Sequence, residues 1–403
     1  MRIALFHNLP SGGAMRTLNE SAKRLAADHH IDVYTLSCAN HDFANLRPHV
    51  ASYKVFDFHP LPLLSSPLGR LNQAIRLADL LRLSVLFRVI AHEIKLTNYD
   101  VVLAHPCQFT KSPVILRYLS SPPAIYYCHE PLRLLYEAMP ARPYDDNGAG
   151  WRRALNRVDP LLFLYYAALK RIDQRNIRSA DVVLVNSEFT RHAVRRIYQV
   201  EAQVSYHGVD AQWFRPLPTV KKRPILLSVG SLTPRKGFDF LILAMARIPT
   251  DQRPTLVIAS NFQNPPERDY LERLARDLDV DLKLLGNVSD ERLVQLYNQA
   301  KVTVYAPIRE PFGLVPLESM ACGTPVVGVR DGGVPETVVD QHTGLLVERD
   351  LVQFAEAIRS LLEDTKRREQ YGQQAREYVL EKWTWDRAVA TLEGHLTSCA
   401  MRC

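Results

Sequence analysis

The chain has 403 residues, of which 47% are hydrophobic and 23% charged, the balance of an ordinary globular protein. This length exceeds what one hydrophobic core normally supports, so it predicts two domains. The net charge of +7 fits an anionic partner such as a nucleotide, a lipid head group or a nucleic acid, but a scattered surface excess explains it equally well. Because the basic residues are dispersed along the chain, nucleic-acid binding is disfavoured.

The six cysteines contain no Cys-x-x-Cys pair, and the histidines and cysteines lack the spacing of zinc ligands. This usage predicts a reducing compartment without a disulfide framework. The apolar run in residues 1–13 is too short for a signal peptide, and no apolar segment has the length of a membrane span. We therefore expect the protein to stay in the cytoplasm.

The first half of the chain alternates strand-like and helix-like segments. Several strand-like segments are nearly continuous apolar runs, which are typical of strands buried on both faces of a parallel sheet. The predicted strands are 2–7, 31–36, 53–58, 100–105, 124–129 and 181–187. Residues 13–28 carry apolar side chains at helical spacing. Residues 207–224 contain three prolines and no periodicity, so they predict an interdomain linker.

The alternation then restarts in the second half of the chain. Its predicted strands are 224–230, 255–260, 281–286, 302–307 and 324–329, with helices between them. Two such blocks predict an α/β fold of two doubly wound, Rossmann-like domains that face each other across a cleft. We expect an N-terminal domain of residues 1–213, completed by a C-terminal helix at 384–403, and a second domain of residues 214–383.

One stretch, residues 305–328, combines features of a ligand site. A strand ends near Pro307, and a helix is predicted from about Leu314, so Gly313 lies at a helix N-terminus beside the carboxyl end of a strand. The N–H groups of Gly313, Leu314 and Val315 can bind a phosphate with the help of the helix dipole.

The Glu318 carboxylate would repel a phosphate placed against it, so the two acids of this stretch are expected to bind hydroxyl groups beside the phosphates. Glu318, one turn inside the helix, can accept hydrogen bonds from a ribose diol. Glu310, in the loop before the helix, can reach a group on the other side of the phosphates. A nucleotide joined to a sugar fits this arrangement.

The same residues resemble a known signature. Glu310 and Glu318 with the intervening Pro-Phe-Gly, followed by residues 321–338, resemble the motif of retaining nucleotide-sugar glycosyltransferases of family four (group 1), which have the GT-B fold. Further segments resemble the family in order along the chain: 12–13, 186–200, 205–214, 228–242 and 286–300. The resemblance covers nearly the whole chain and is closest over 180–347. It implies transfer of a hexose, such as mannose or glucose, to a glycan or lipid-linked acceptor.

The resemblance also implies roles for individual residues. Three are implied to be catalytic: Lys236 as a cation on the diphosphate, His129 beside the reacting sugar carbon, and Glu310 at the sugar. Other contacts to the nucleotide-sugar are implied for Gly12, Gly13, Arg235, Val288, Phe312, Gly313, Leu314, Val315 and Glu318. Arg133 follows from a His-x-Pro-x-Arg pattern and is implied to serve the acceptor. The chain departs from many relatives at Ser231, where they carry Arg, and at Ser260–Asn261, where they carry glycines.

The leaving diphosphate needs stabilisation, which either a metal ion or fixed cations and amides can supply. No Asp-x-Asp motif stands at a strand end, so we expect no metal and no other cofactor, with Lys236, Arg235 and the amides of 313–315 in that role. For the retained configuration, the resemblance implies a front-face reaction in which the leaving phosphate takes the proton of the acceptor.

Residues 67–95 and 151–178 combine apolar and basic side chains. They fit helices on an anionic membrane surface, on its inner face, and they equally fit ordinary core-facing helices.

Two other functions stay open: a GT-B enzyme of another class, such as a nucleotide-sugar epimerase, and a non-catalytic glycan-binding partner. A nicotinamide-dependent dehydrogenase is disfavoured because no G-x-G-x-x-G follows a strand.

Overall fold

The computed structural model describes residues 1–65, 68–146, 159–261 and 264–401. The chain forms two compact units. The first comprises Met1–Ala138, Gly148–Tyr206 and Ala388–Cys403, and the second comprises Met139–Asn147 and His207–Arg387. Residues 207–224, expected to link the domains, belong to the second unit together with the short segment 139–147.

The elements alternate as the apolar runs predict. The strands are β1 Arg2–Asn8, β2 His30–Leu36, β3 Ser52–Phe56, β4 Val101–Cys107, β5 Ala124–Cys128, β6 Val182–Val185, β7 Gln203–Val204, β8 Ile225–Val229, β9 Thr255–Ser260, β10 Leu282–Gly286, β11 Val302–Tyr305, β12 Val326–Val329 and β13 Gly344–Val347. The helices are α1 Gly13–Leu25, α2 Asn72–Leu96, α3 Arg133–Tyr136, α4 Pro160–Ile177, α5 Glu188–Tyr198, α6 Phe238–Met245, α7 Pro265–Asp277, α8 Asp290–Gln299, α9 Leu314–Ala321, α10 Val334–Thr337, α11 Leu351–Glu363, α12 Thr365–Lys382 and α13 Trp385–Ala400. The strands β7 and β13 were not predicted.

The first unit contains a seven-stranded sheet in the order β3-β2-β1-β4-β5-β6-β7. Its strand pairs are parallel, as in the in-register pairing of Ile3 with Val101 between β1 and β4. The apolar runs of these strands are buried, and helices cover them with amphipathic faces, such as the one that buries Met15 and Leu18 of α1. The strand order reverses between β1 and β4, the place where open α/β sheets bind ligands.

The second unit repeats this plan with a six-stranded parallel sheet in the order β10-β9-β8-β11-β12-β13. Its order reverses between β8 and β11, and the turns after these two strands carry the predicted site. The predicted fold class of two Rossmann-like α/β domains is thus confirmed. In the described part of the chain, no helix is both long and apolar enough to span a bilayer.

Candidate active site

The start of α9 has the geometry expected of an anion site. Gly313 immediately precedes this helix and has φ 103°, a left-handed conformation that favours glycine. The N–H groups of Leu314 and Val315 lie in the first turn, where a helix offers no internal acceptor. Pro316, at the third helical position, has no N–H to satisfy. The two amides and the positive end of the helix dipole can therefore bind an anion.

The loop before α9 is fixed by a neighbouring turn. The N–H of Arg309 donates to Asp331 over 2.9 Å, and the N–H of Gly333 donates to the carbonyl of Glu310 over 2.7 Å. Gly332 has φ 66°, and a Cβ there would lie 2.3 Å from the carbonyl oxygen of Glu310. The backbone of Glu310 is therefore held in place by residues 331–333.

A second turn brings Lys236 to this loop. Residues Pro234–Lys236 form a short 3-10 turn between β8 and α6. The carbonyl of Arg235 accepts a hydrogen bond of 2.8 Å from the N–H of Ile308. Gly237, with φ 65°, lies so close that a Cβ there would be 2.0 Å from the carbonyl oxygen of Ala306. Only glycine permits this contact between the two turns.

The two turns place the ammonium Nζ of Lys236 2.9 Å from Oε2 of Glu310. Both side chains are half-buried, so the pair is weakly screened. A phosphate bound at the start of α9 would compete with Glu310 for this cation. The ion pair joins the 3-10 turn to the loop before α9.

Glu318 faces a residue that the sequence analysis did not single out. Its Oε2 accepts a hydrogen bond of 2.8 Å from the hydroxyl of Tyr297 in α8. Burial and the Glu318 carboxylate raise the pKa of Tyr297 well above its ordinary value, so the hydroxyl stays protonated and donates. Glu318 is itself buried. The hydrogen bond orients its carboxylate.

Phe312 and Val288 are both held by contacts with neighbouring residues. The ring of Phe312 is buried between His207 and Trp383, with ring centroids 5.5 and 5.6 Å apart, so a ligand would meet only its backbone. The N–H of Val288 donates to the side chain of Asn261 over 3.1 Å. Asn261 therefore joins the ends of β9 and β10.

In the first unit, His129 directly follows β5 and lies beside a second histidine. Nδ1 of His105, in β4, and Nε2 of His129 are 3.2 Å apart and share a hydrogen bond. The His105 ring also stacks on Tyr127, with a centroid distance of 5.4 Å and an interplanar angle of 7°. The His129 ring packs at a tilt against both rings, with centroids 5.4 Å from His105 and 4.9 Å from Tyr127, and these contacts orient it. The sequence offered one signal for His105, its position at the end of a predicted strand.

Gly12 and Gly13 form the turn from β1 into α1. Gly12 has φ 143°, and a Cβ added there would meet no atom within 4 Å. Glycine at this position leaves open space beside the backbone, as close approach of a ligand requires.

Arg133, implied by the resemblance to serve the acceptor, lies at the start of α3. It is buried, and its Nε lies 2.9 Å from a carboxylate oxygen of Glu130 and 3.7 Å from one of Glu137. Glu130 also pairs with Lys111 over 2.7 Å. The guanidinium therefore anchors the start of α3. Its assignment to the acceptor stays a prediction.

The structure also shows the state of the cysteines and the grouping of possible metal ligands. The five cysteines within the described ranges, Cys38, Cys107, Cys128, Cys322 and Cys399, are free thiols. In the same ranges, no three His, Cys, Asp or Glu side chains are grouped so as to hold a metal ion.

Comparisons with known proteins agree with the motifs. The family model described as "Glycosyl transferases group 1" matches residues 209–378, and the model "Glycosyltransferase Family 4" matches residues 11–213. A GDP-mannose-dependent alpha-(1-6)-phosphatidylinositol monomannoside mannosyltransferase of Mycobacterium tuberculosis is 32% identical over 54% of this chain and 61% of its own. The alpha-1,3/1,6-mannosyltransferase ALG2 of Rhizomucor pusillus is 25% identical over 71% of this chain and 68% of its own.

The structure of Anabaena Alr3699/HepE in complex with UDP-glucose has a TM-score of 0.71 and 20% identity, over 99% of this chain and 100% of that one. At this identity the likeness shows the fold alone. The matches to the curated relatives named above span about two thirds of their lengths.

Proposed function

This chain belongs to the family-four, group 1 glycosyltransferases and is a transferase, and we propose that it moves a hexose, mannose or glucose, from a nucleotide-sugar to a hydroxyl of a glycan or lipid-linked acceptor with retention. The observation that carries the proposal is the cluster at α9: helix amides, the Lys236–Glu310 pair and the buried Glu318. Relatives named as mannosyltransferases, and a fold neighbour that binds UDP-glucose, support a hexose nucleotide as the substrate.

Each part of the cluster matches one part of a nucleotide-sugar. The amides of Leu314 and Val315 take the diphosphate, because the helix start attracts anions. Glu318, oriented by Tyr297, accepts hydrogen bonds from the ribose diol. Glu310 lies before the helix and accepts from sugar hydroxyls once Lys236 turns to the phosphate.

The proposed reaction breaks the bond between the sugar C1 and the diphosphate oxygen and forms a bond from C1 to the acceptor oxygen. The proton of the acceptor hydroxyl passes to the leaving phosphate. Lys236, Arg235 and the helix amides stabilise the charge that grows on the leaving group, so the reaction needs no metal ion. His129 positions the sugar at C1.

A panel of UDP-, GDP- and ADP-sugars with EDTA tests the proposal by thermal shift and by transfer or hydrolysis of the sugar. One donor should stabilise the protein, and EDTA should change neither the shift nor turnover. Glu318→Ala should abolish the shift, because the ribose loses its acceptor. Glu363→Ala is the matched control, since Glu363 is exposed at the end of α11 and pairs with Arg359. A full shift retained by Glu318→Ala would refute the ribose assignment.

The location proposed for the enzyme is the cytoplasm, bound peripherally to the inner membrane face. One face of α2 supports this because Leu81, Val85 and Val89 follow each other at intervals of four residues and are exposed. Leu81 is 71% exposed, and Leu96, near the helix end, is 74% exposed. Isolated apolar side chains are common on surfaces, but a stripe of this length indicates a partner.

Charge favours an anionic membrane as that partner. Exposed basic residues flank the apolar stripe on α2: Arg76, Arg82, Arg88 and Lys95. Phe163 and Leu164 of α4 are also exposed. Such basic, apolar faces insert their side chains at the lipid head groups. Of the second predicted segment, 151–178, residues 151–158 lie outside the described residues.

Flotation with vesicles of phosphatidylglycerol and phosphatidylcholine tests this location. The protein should bind the anionic vesicles, and the double change Leu81→Ser and Val85→Ser should weaken binding at least tenfold. Val352→Ser is the control, because Val352 is an exposed apolar residue of the second unit. Equal binding of the double variant and the wild type would refute the assignment of α2.

A further inference from the structure

The segment Met139–Asn147 belongs to the second unit, although the chain on both sides of it belongs to the first. Its described part, residues 139–146, is called the strap below. Arg142 of the strap is only 5% exposed. Its guanidinium donates to both carboxylate oxygens of Glu267 at 3.0 Å and to both of Asp239 at 2.8 and 3.1 Å. It also donates to the carbonyl of Pro234 over 3.2 Å.

The strap also contacts the start of α7 through Tyr144. Glu267, in the first turn of that helix, is fully buried and also accepts a hydrogen bond from the hydroxyl of Tyr144. The guanidinium of Arg142 lies 5.2 Å from the ring centroid of Tyr270, and the Tyr144 ring packs edge-on against the same ring. Burial disfavours the charge of Arg142, but the two carboxylates outweigh it and raise its pKa. Ion pairs and ring contacts therefore hold the strap against α6 and α7.

The positions of these contacts matter because they enclose the turn that carries Lys236. Pro234 is the first residue of the 3-10 turn, and Asp239 is in the first turn of α6 that follows it. One planar guanidinium thus contacts the turn on both sides of Lys236. A guanidinium suits this task because its donors lie in a fixed plane and can serve several acceptors at once.

We propose that Arg142 is a positioning residue for the nucleotide-sugar: it holds the Pro234–Lys236 turn so that the Lys236 ammonium reaches the diphosphate. This assignment rests on the proposed function. Without Arg142, Glu267 would be a buried carboxylate with no cation beside it, close to the charge of Asp239. Movement of the start of α6 would relieve the repulsion between the two carboxylates. Lys236 would move with it, because it lies in the turn that precedes α6.

The test compares Arg142→Met and Arg142→Lys with a matched arginine of the same unit, Arg253→Met. Arg253 donates to carbonyl oxygens of Ala246, Ile248, Leu278 and Asp279, away from the turn. The rate of hydrogen exchange in the peptide 231–241 measures how firmly the turn is held when no ligand is added. Titration with UDP-glucose and GDP-mannose measures the affinity for nucleotide-sugars, and thermal unfolding measures the stability of the fold.

Arg142→Met should speed exchange of 231–241 at least tenfold and weaken nucleotide-sugar binding at least tenfold, about 1.4 kcal/mol. Arg142→Lys should have an intermediate effect because an ammonium cannot span both carboxylates. Arg253→Met should lower thermal stability without changing the exchange of 231–241.

A second change separates positioning from stability. In Arg142→Met with Glu267→Gln, the buried charge is gone, so thermal stability should recover while nucleotide-sugar binding stays weak. The proposal is overturned if binding recovers with stability, or if Arg142→Met leaves the exchange of 231–241 unchanged. If the wild type bound no nucleotide-sugar, the proposed function would fail, whereas the exchange result would still decide whether Arg142 holds the turn.

Discussion

Gly237 is where one added methyl group would most directly disturb the turn that carries Lys236. In Gly237→Ala, the new Cβ would lie 2.0 Å from the carbonyl oxygen of Ala306. An ordinary carbon–oxygen contact is about 3.3 Å, so the turn and the loop before α9 must separate by about 1 Å. The φ of 65° adds a left-handed cost of about 1–2 kcal/mol for a residue other than glycine.

The displacement falls on two residues that the proposed reaction uses, Lys236 at the diphosphate and Glu310 at the sugar. Lys236 is the neighbour of Gly237 and lies 2.9 Å from Glu310, so a shift of 1 Å separates this pair. A misplacement of that size costs about 10²-fold in rate, equivalent to about 2.7 kcal/mol. We therefore expect kcat/KM to fall about 10²-fold and thermal stability to fall as well.

Steady-state transfer assays and thermal unfolding measure both effects on one preparation. Gly394→Ala is the matched control, because a Cβ at Gly394, inside α13, would meet no atom within 4 Å. That change should raise stability by up to about 1 kcal/mol and leave kcat/KM unaltered. If Gly237→Ala kept kcat/KM within twofold of the wild type, the close contact between the two turns would not govern the site.

Two further predictions concern stability. Burial, together with the nearby His41, lowers the pKa of His7 to about 3, so the unfolded state binds a proton below about pH 6.5 that the folded state excludes. Stability should therefore fall by about 2 kcal/mol between pH 6.5 and 4.5 on account of His7, and His7→Leu should flatten this loss in urea unfolding. An unchanged acid loss in that variant would contradict the assignment. Asp350 accepts hydrogen bonds from the N–H groups of Val352 and Gln353 at the start of α11, so Asp350→Ala should cost about 1 kcal/mol in thermal unfolding and Asp350→Asn much less.

Local sequence determined most of the elements and the spacing of the motif at α9. Apolar runs such as Val101–Ala104 are buried on both faces, because a strand inside a parallel sheet has no polar side. Gly313 and Glu318 keep their relation because both belong to one short helix and its cap. The strands β7 and β13 were missed because runs of two and four residues hold too little periodicity to stand out.

Contacts between distant residues were decided only by the tertiary structure. Lys236 and Glu310 are 74 residues apart, and Arg142 meets Glu267 across 125 residues. The sequence marked the first pair through a resemblance, but nothing in it indicated that the cation and the acid would pair. Tyr297 and Arg142 carried no signal of a site at all.

The physical reason for this division is the range of the forces involved. Periodicity and turn chemistry act over a few residues, and they specify which face of an element is apolar and where it ends. They do not specify which element lies beside it, because burial of apolar surface is non-directional. The sequence by itself therefore determined two parallel α/β sheets and the helix start at Gly313. The folded chain decided that Lys236 pairs with Glu310, that Tyr297 orients Glu318 and that Arg142 contacts the Pro234–Lys236 turn.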